Sequence, residues 1–149
     1  MTVNTAYFGA AGVCVNDEGK LLMVLQGTKE EHKKWSVPSG GKENGETFEE
    51  CCIREFKEET GFDAKIIKRL FVKKEELEGI GRIEVHYFLV RIIGGTKTIQ
   101  DPDELIYEID WKDYEQLQTL DLSFPEDRSV LCEYINLYTT TRKKAVIHE

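Results

Sequence analysis

Three glutamates, Glu55, Glu58 and Glu59, stand three and four positions apart, the spacing that brings side chains together on one face of a helix. On a helical wheel of about 100° per residue, Phe48, Cys51 and Cys52 fall within about 60° of Glu55, and so do Glu58 and Glu59. The apolar stripe that would face a core therefore turns acidic toward its C-terminal end. Carboxylates are almost never buried without partners, and three within two turns repel one another and resist ionising. The C-terminal end of a helix also carries partial negative charge and favours Lys, Arg or His, so helix stability does not account for Glu58 and Glu59. A hard divalent cation does, since magnesium takes oxygen ligands, commonly a few carboxylates together with waters and substrate phosphates. Spacing alone leaves a second reading equally open, a solvated acidic face on which Arg54 and Lys57 pair locally.

The segment before these glutamates, Ser39-Gly40-Gly41-Lys42-Glu43-Asn44-Gly45, is a glycine-rich loop in sequence terms. Gly40 and Gly45 are separated by four residues and followed by Glu46-Thr47, nearly the spacing of a P-loop. That motif needs a lysine before the Ser or Thr to meet the β and γ phosphates, and Glu46 puts the opposite charge there. A nucleoside-triphosphatase of the P-loop kind is excluded. Glycines entering an acidic helix can instead offer backbone carbonyls and close approach to a metal-bound phosphate.

The acidic residues need a helix to hold them, and its ends are marked. Thr47 with Glu50 three positions later forms a capping box, and Gly61 followed by Phe62 fits a left-handed stop, which predicts a helix over 47–60. Apolar runs at 10–15 and 20–26, separated by Asn16-Asp17-Glu18-Gly19, read as a strand pair after which 28–34 is a charged loop. Further strands are predicted at 64–71, 82–92 and 105–111, with Gly94-Gly95 and Asp101-Pro102-Asp103 as breaks. A short helix over 114–120 is capped by Asp113 with Gln116. A second over 126–138 carries Val130, Leu131, Tyr134, Ile135 and Tyr138 at helical spacing. From about residue 139, Thr139-Thr140-Thr141-Arg142-Lys143-Lys144 reads as a polar tail leaving the fold. The expectation is one mixed α/β domain over 1–149, without internal repeats.

Composition narrows the function classes. The chain has 149 residues, 28 Asp and Glu against 20 Lys and Arg, and a net charge of −8. This acidity argues against general nucleic-acid binding, which needs clustered Lys and Arg. The longest apolar stretch, residues 87–93, is interrupted by Arg91 and is far short of the roughly 20 residues that span a bilayer. Residues 1–4 lack the basic start and apolar run of a secretory signal, so the default expectation is a cytoplasmic protein without membrane association. Cys14, Cys51, Cys52 and Cys132 show no metal-site spacing. Cys51 and Cys52 are expected to be small buried hydrophobes.

Taken together, Gly40, five residues, Glu46, seven residues, and then Arg54-Glu55-Phe56-Lys57-Glu58-Glu59-Thr60-Gly61-Phe62 resembles the signature box of the Nudix hydrolases. Every fixed position matches. At roughly 6–7% usage per residue type, the seven specified residues would coincide in about one window in 10⁸, so chance is a poor explanation. The flanks Trp35-Ser36-Val37-Pro38 and Glu108-Ile109-Asp110-Trp111 look similar as well. Ser39, where many members carry glycine, lies outside the fixed positions.

The resemblance implies an α/β/α sandwich with a mixed sheet and the box as loop, helix and loop. It implies a pyrophosphohydrolase that uses Mg²⁺ or Mn²⁺ and water to cleave a phosphoanhydride in a nucleoside diphosphate linked to another group. A nucleoside triphosphate, a dinucleotide and a nucleotide sugar all fit that description. In family terms Glu55 and Glu59 are metal ligands, Glu58 is a third ligand or the general base, and the Gly40 carbonyl completes the site. Arg54 and Glu46 are the pair that orients these carboxylates. Some members draw the base from a later loop, where Glu104 is favoured over Glu108. By the same analogy two chains could pair as a homodimer. The rival reading is a binding module that keeps the fold and holds a metal-nucleotide or a protein partner without turnover. His32, His86 and His148 share no ligand spacing, Trp35 and Trp111 read as core aromatics, and Lys73-Lys74-Glu75-Glu76 reads as a solvated turn or strand end.

Overall fold

The computed structural model describes residues 6–79, 81–99 and 105–147, with side chains described through residue 137. Four strands form a mixed sheet in the order β4-β1-β6-β5: β1 is Ala6–Val13, β4 Ser39–Gly41, β5 Phe62–Leu77 and β6 Gly81–Gly95. β1 runs parallel to β6, while the β1/β4 and β5/β6 pairs are antiparallel. Three more strands, β2 (Leu21–Gln26), β3 (Lys34–Ser36) and β7 (Ile106–Lys112), form an antiparallel sheet in the order β3-β2-β7. The helices are α1 (Phe48–Thr60), α2 (Tyr114–Thr119) and α3 (Arg128–Ile147), the last preceded by a 3₁₀ turn at Pro125–Asp127.

Side chains alternate across a strand, and both faces of these sheets are covered. On one face Ala10, Leu22, Val24, Phe88 and Val90 pack with Cys51, Cys52 and Phe56 of α1. On the other, Ala11, Val13, Leu21, Met23 and Tyr87 pack with Leu117 of α2 and with Leu131 and Ile135 of α3. This is the expected α/β/α sandwich. Leu21, Leu22, Met23 and Val24 of β2 are all fully buried, which is why that run is continuously apolar rather than alternating. Each such side chain contributes about 1.5–3 kcal/mol by leaving water.

Three expectations are corrected. The glycine-rich stretch does not begin as a loop, because Ser39–Gly41 pairs with β1, Gly40 lying opposite Ala10. The strands predicted at 64–71 and 82–92 are longer, β5 running on to Leu77, so that Lys73-Lys74-Glu75-Glu76 is the end of a strand, as one of its two readings had it, with Lys73 partly covered and the next three exposed; Lys74 pairs across the strands with Glu84. The polar tail expected from about residue 139 has a helical backbone through Ile147, since neither Gly nor Pro interrupts the run.

Candidate active site

Local rules fix the helix that carries the carboxylates. Thr47 Oγ1 accepts from the Glu50 amide at 3.0 Å, and Glu50 Oε1 accepts from the Thr47 amide at 2.9 Å, completing the predicted capping box. At the other end Gly61 takes a left-handed φ of 84° and donates its amide to the Lys57 carbonyl at 2.8 Å. A Cβ on Gly61 would also collide with the Thr96 backbone carbonyl, so this position needs glycine both for its dihedral and for close approach. Cys51, Cys52 and Phe56 are fully buried and set the rotation of α1, which turns Glu55 and Glu59 toward β4.

Arg54 organises the acidic groups. Its Nε and one terminal nitrogen donate to the two oxygens of Glu46 at 2.7 and 2.9 Å, a bidentate pair. The same terminal nitrogen reaches the Gly41 carbonyl at 2.8 Å, while the other donates to Glu55 at 2.7 Å and lies 3.4 Å from Glu58. The Arg54 hydrogen bonds hold the Glu46 carboxyl down to about 2. Arg54 thus ties the loop before the helix to the carboxylates on it.

Glu55 lies against Gly40 so closely that any Cβ there would collide with its carboxylate. The Gly40 carbonyl also accepts from the Cys51 thiol at 3.5 Å, and Glu59 accepts from the Ser39 amide at 3.0 Å. Burial raises the Glu55 pKa; the Arg54 bond opposes that shift, and nearby Glu58 and Glu46 add to it. Burial is likewise the main cause of the raised Tyr7 pKa, with Cys51, Glu55 and Glu59 reinforcing it. The donor types at this edge, the Glu55 and Glu59 carboxylates and the Gly40 carbonyl, with Glu58 on the same helix beside Arg54, suit a hard divalent cation. Among the described residues no three acidic, histidine or cysteine side chains converge as they stand, and Arg54 is the counter-charge that Glu55 and Glu58 face.

Gly40, Glu46, Arg54, Glu55, Glu58 and Glu59 are therefore brought to one neighbourhood. Glu104 lies outside the described residues. Glu108 is exposed on β7, opposite Leu25 in the smaller sheet. His32 is exposed and paired with Asp121, and His86 stacks on Phe48 with its ring nitrogens engaged by Arg69 and Glu84. Trp35 and Trp111 are partly buried at the edges of the two cores. One set of neighbours carries no sequence motif. Lys73 pairs with Asp127 at 2.7 Å, and Tyr87 donates to the same carboxylate at 2.6 Å. Lys73 is thus held rather than solvated, and its signal in the sequence is only the alternation of residues along β5.

The profile of the NUDIX domain matches residues 6–134. The chain is 32% identical to an RNA pyrophosphohydrolase of Erythrobacter litoralis over 152 aligned positions, covering 88% of this chain and 92% of that protein. It is 32% identical over 100 positions to an 8-oxo-dGDP phosphatase of Mus musculus, covering 66% of this chain and 30% of that one. It spans about a third of the length of several curated relatives it matches. A solved NUDIX hydrolase from Nitrosomonas europaea superposes with a TM-score of 0.75 at 18% identity, covering 91% of this chain and 90% of that one, a likeness of fold.

Proposed function

The chain belongs to the Nudix family, and on that premise we propose that it is a metal-dependent pyrophosphohydrolase, hydrolysing a phosphoanhydride bond in a nucleoside diphosphate linked to another group. The observation that carries this reading is the packing of the Glu55 carboxylate on Gly40, with Glu59 held by the neighbouring Ser39 amide. Glu55, Glu59, Glu58 and the Gly40 carbonyl would hold Mg²⁺ or Mn²⁺. When bound, the ion supplies charge neutralisation for phosphate oxygens and lowers the pKa of water. Arg54 and Glu46 keep the carboxylates facing the β4 edge, and the glycine backbone leaves room there for a substrate phosphate. Glu58, on the last turn of α1, and Glu104 are the two groups proposed to accept the proton of the attacking water. The names of the relatives, an RNA pyrophosphohydrolase and an 8-oxo-dGDP phosphatase, support a nucleotide-type substrate.

The test is a magnesium-supplied screen of nucleoside triphosphates and diphosphates, dinucleotides and nucleotide sugars, with the phosphate-containing products identified. Glu55→Gln and Glu59→Gln should each lower kcat/KM on the best substrate by on the order of 100-fold or more while the thermal melt stays cooperative. Near-normal turnover in either variant refutes its assignment. Inertness of the wild-type chain across the panel, with metal still bound, would favour a binding module.

A further inference from the structure

A cavity of about 280 Å³ opens on the sheet face opposite α1, and Ser39 and Gly40 form one of its walls. The carboxylates of α1 meet Gly40 at the same strand, so the cavity adjoins the proposed metal position. Its lining is mostly apolar, with Tyr7 and Phe124 on it 48% and 43% exposed. Aromatic rings left open at a cavity are surfaces on which a flat ligand can stack.

The charged groups at the cavity are few, and Lys73 is held in place. Lys73 reaches Asp127 at 2.7 Å, and Asp127, itself 5% exposed, is held by the Tyr87 hydroxyl at 2.6 Å. The Lys73 ammonium lies 4.8 Å from the centre of the Phe124 ring, and Glu126 Oε1 stands 3.8 Å from the same ammonium. Glu75 also lines the cavity. One cation thus faces two carboxylates, Asp127 and Glu126, with Glu75 a third on the cavity lining, which disfavours a phosphate or any other anion in this part of the cavity. The group suited to it is flat, uncharged and rich in hydrogen-bond donors. It would also place an acceptor beside those donors, because an ammonium and a carboxylate stand side by side.

We propose that this cavity is the base-recognition site of the hydrolase and that it selects guanine, stacked on Phe124, with Glu126 accepting from the base and Lys73 donating to it. The proposal rests on the hydrolase reading above. Guanine presents two adjacent N–H donors that match the two oxygens of one carboxylate, and beside them a carbonyl oxygen for an ammonium. Adenine and cytosine offer one amino group next to a ring acceptor. Uracil and thymine flank a single N–H with two carbonyls, one of which would face Glu126. Once a base covers the cavity these mismatches leave an acceptor or donor unpaired, which is how such sites discriminate.

The experiment measures kcat/KM with Mg²⁺ for GTP, GDP and their adenosine, cytidine and uridine counterparts, and measures GMP, AMP, CMP and UMP binding by calorimetry without metal. The wild-type chain should favour guanine by at least about tenfold, through KM, and bind GMP most tightly. Glu126→Gln should reduce the preference by on the order of tenfold or more. Phe124→Ala should weaken all four bases alike. Both residues are substantially exposed, and thermal melts verify that the variants fold. Hydrolysis of all four bases at equal rates, or a guanine preference unchanged in Glu126→Gln, overturns the assignment and leaves the hydrolase standing. GMP binding with no hydrolysis of any substrate sinks the hydrolase reading and leaves base recognition standing. Neither hydrolysis nor selective binding overturns both.

Discussion

Glu55 depends on what is missing from Gly40. Gly40→Ala should displace the carboxylate and lower kcat/KM by on the order of 100-fold, with a much smaller loss of stability, as steady-state kinetics beside a thermal melt would show. Full activity in that variant would mean that the close approach has no part in turnover. Glu46 gives a pH prediction with a definite sign. Its folded pKa, about 2, is below the ordinary 4.5, so the folded chain binds fewer protons than the unfolded one. Its contribution to stability is therefore complete above about 4.5 and is lost as pH falls through about 2. Urea unfolding should show Glu46→Gln less stable than wild type at pH 7 and the difference closing toward pH 2. A constant difference would contradict the ion pair. That Glu46, Arg54 and the three glutamates share one neighbourhood was legible in the sequence because they lie within one segment whose helix is marked by local caps and whose spacing sets the shared face. Lys73 was not, since its partner Asp127 lies on a distant turn and no local rule connects them.

The box helix has its strongest determinants at its ends. Thr47→Ala removes one half of a reciprocal cap and should cost about 1 kcal/mol. Gly61→Ala meets both a left-handed dihedral and the Thr96 carbonyl, so it should cost more than the roughly 1–2 kcal/mol of the dihedral alone. Denaturant midpoints of the two variants check the order, and a milder effect at Gly61 would show that the strand end beside it yields easily. These ends were readable because caps are local. The lengths of β5 and β6 were less so: four charged residues in a row carry no strand signal, and the pairing that extends them comes from cross-strand partners such as Glu84. The short pairing of Ser39–Gly41 with β1 was hidden for the same reason, since glycines carry no strand signal and the pairing comes from the neighbour.

The whole molecule joins two surfaces through one edge strand. α1 covers one side of the mixed sheet and carries the acidic groups, α2 and α3 cover the other, and β4 lies where both reach. The two apolar faces were implicit in continuous runs such as residues 21–24, but the cavity on the second face required tertiary structure, because its walls come from β1, β4, β5, β6 and the turn before α3. Among the described residues no helix is long and apolar enough to cross a membrane. Turnover as proposed requires a dication held by the box carboxylates beside Gly40. Titration of Mn²⁺ followed by electron paramagnetic resonance, with and without a nucleotide, tests this directly on the wild-type chain and on Glu55→Gln and Glu59→Gln. Ion uptake by the wild type that weakens at least about tenfold in both variants is predicted. No uptake by the wild type under either condition, or equal uptake by all three chains, would contradict it.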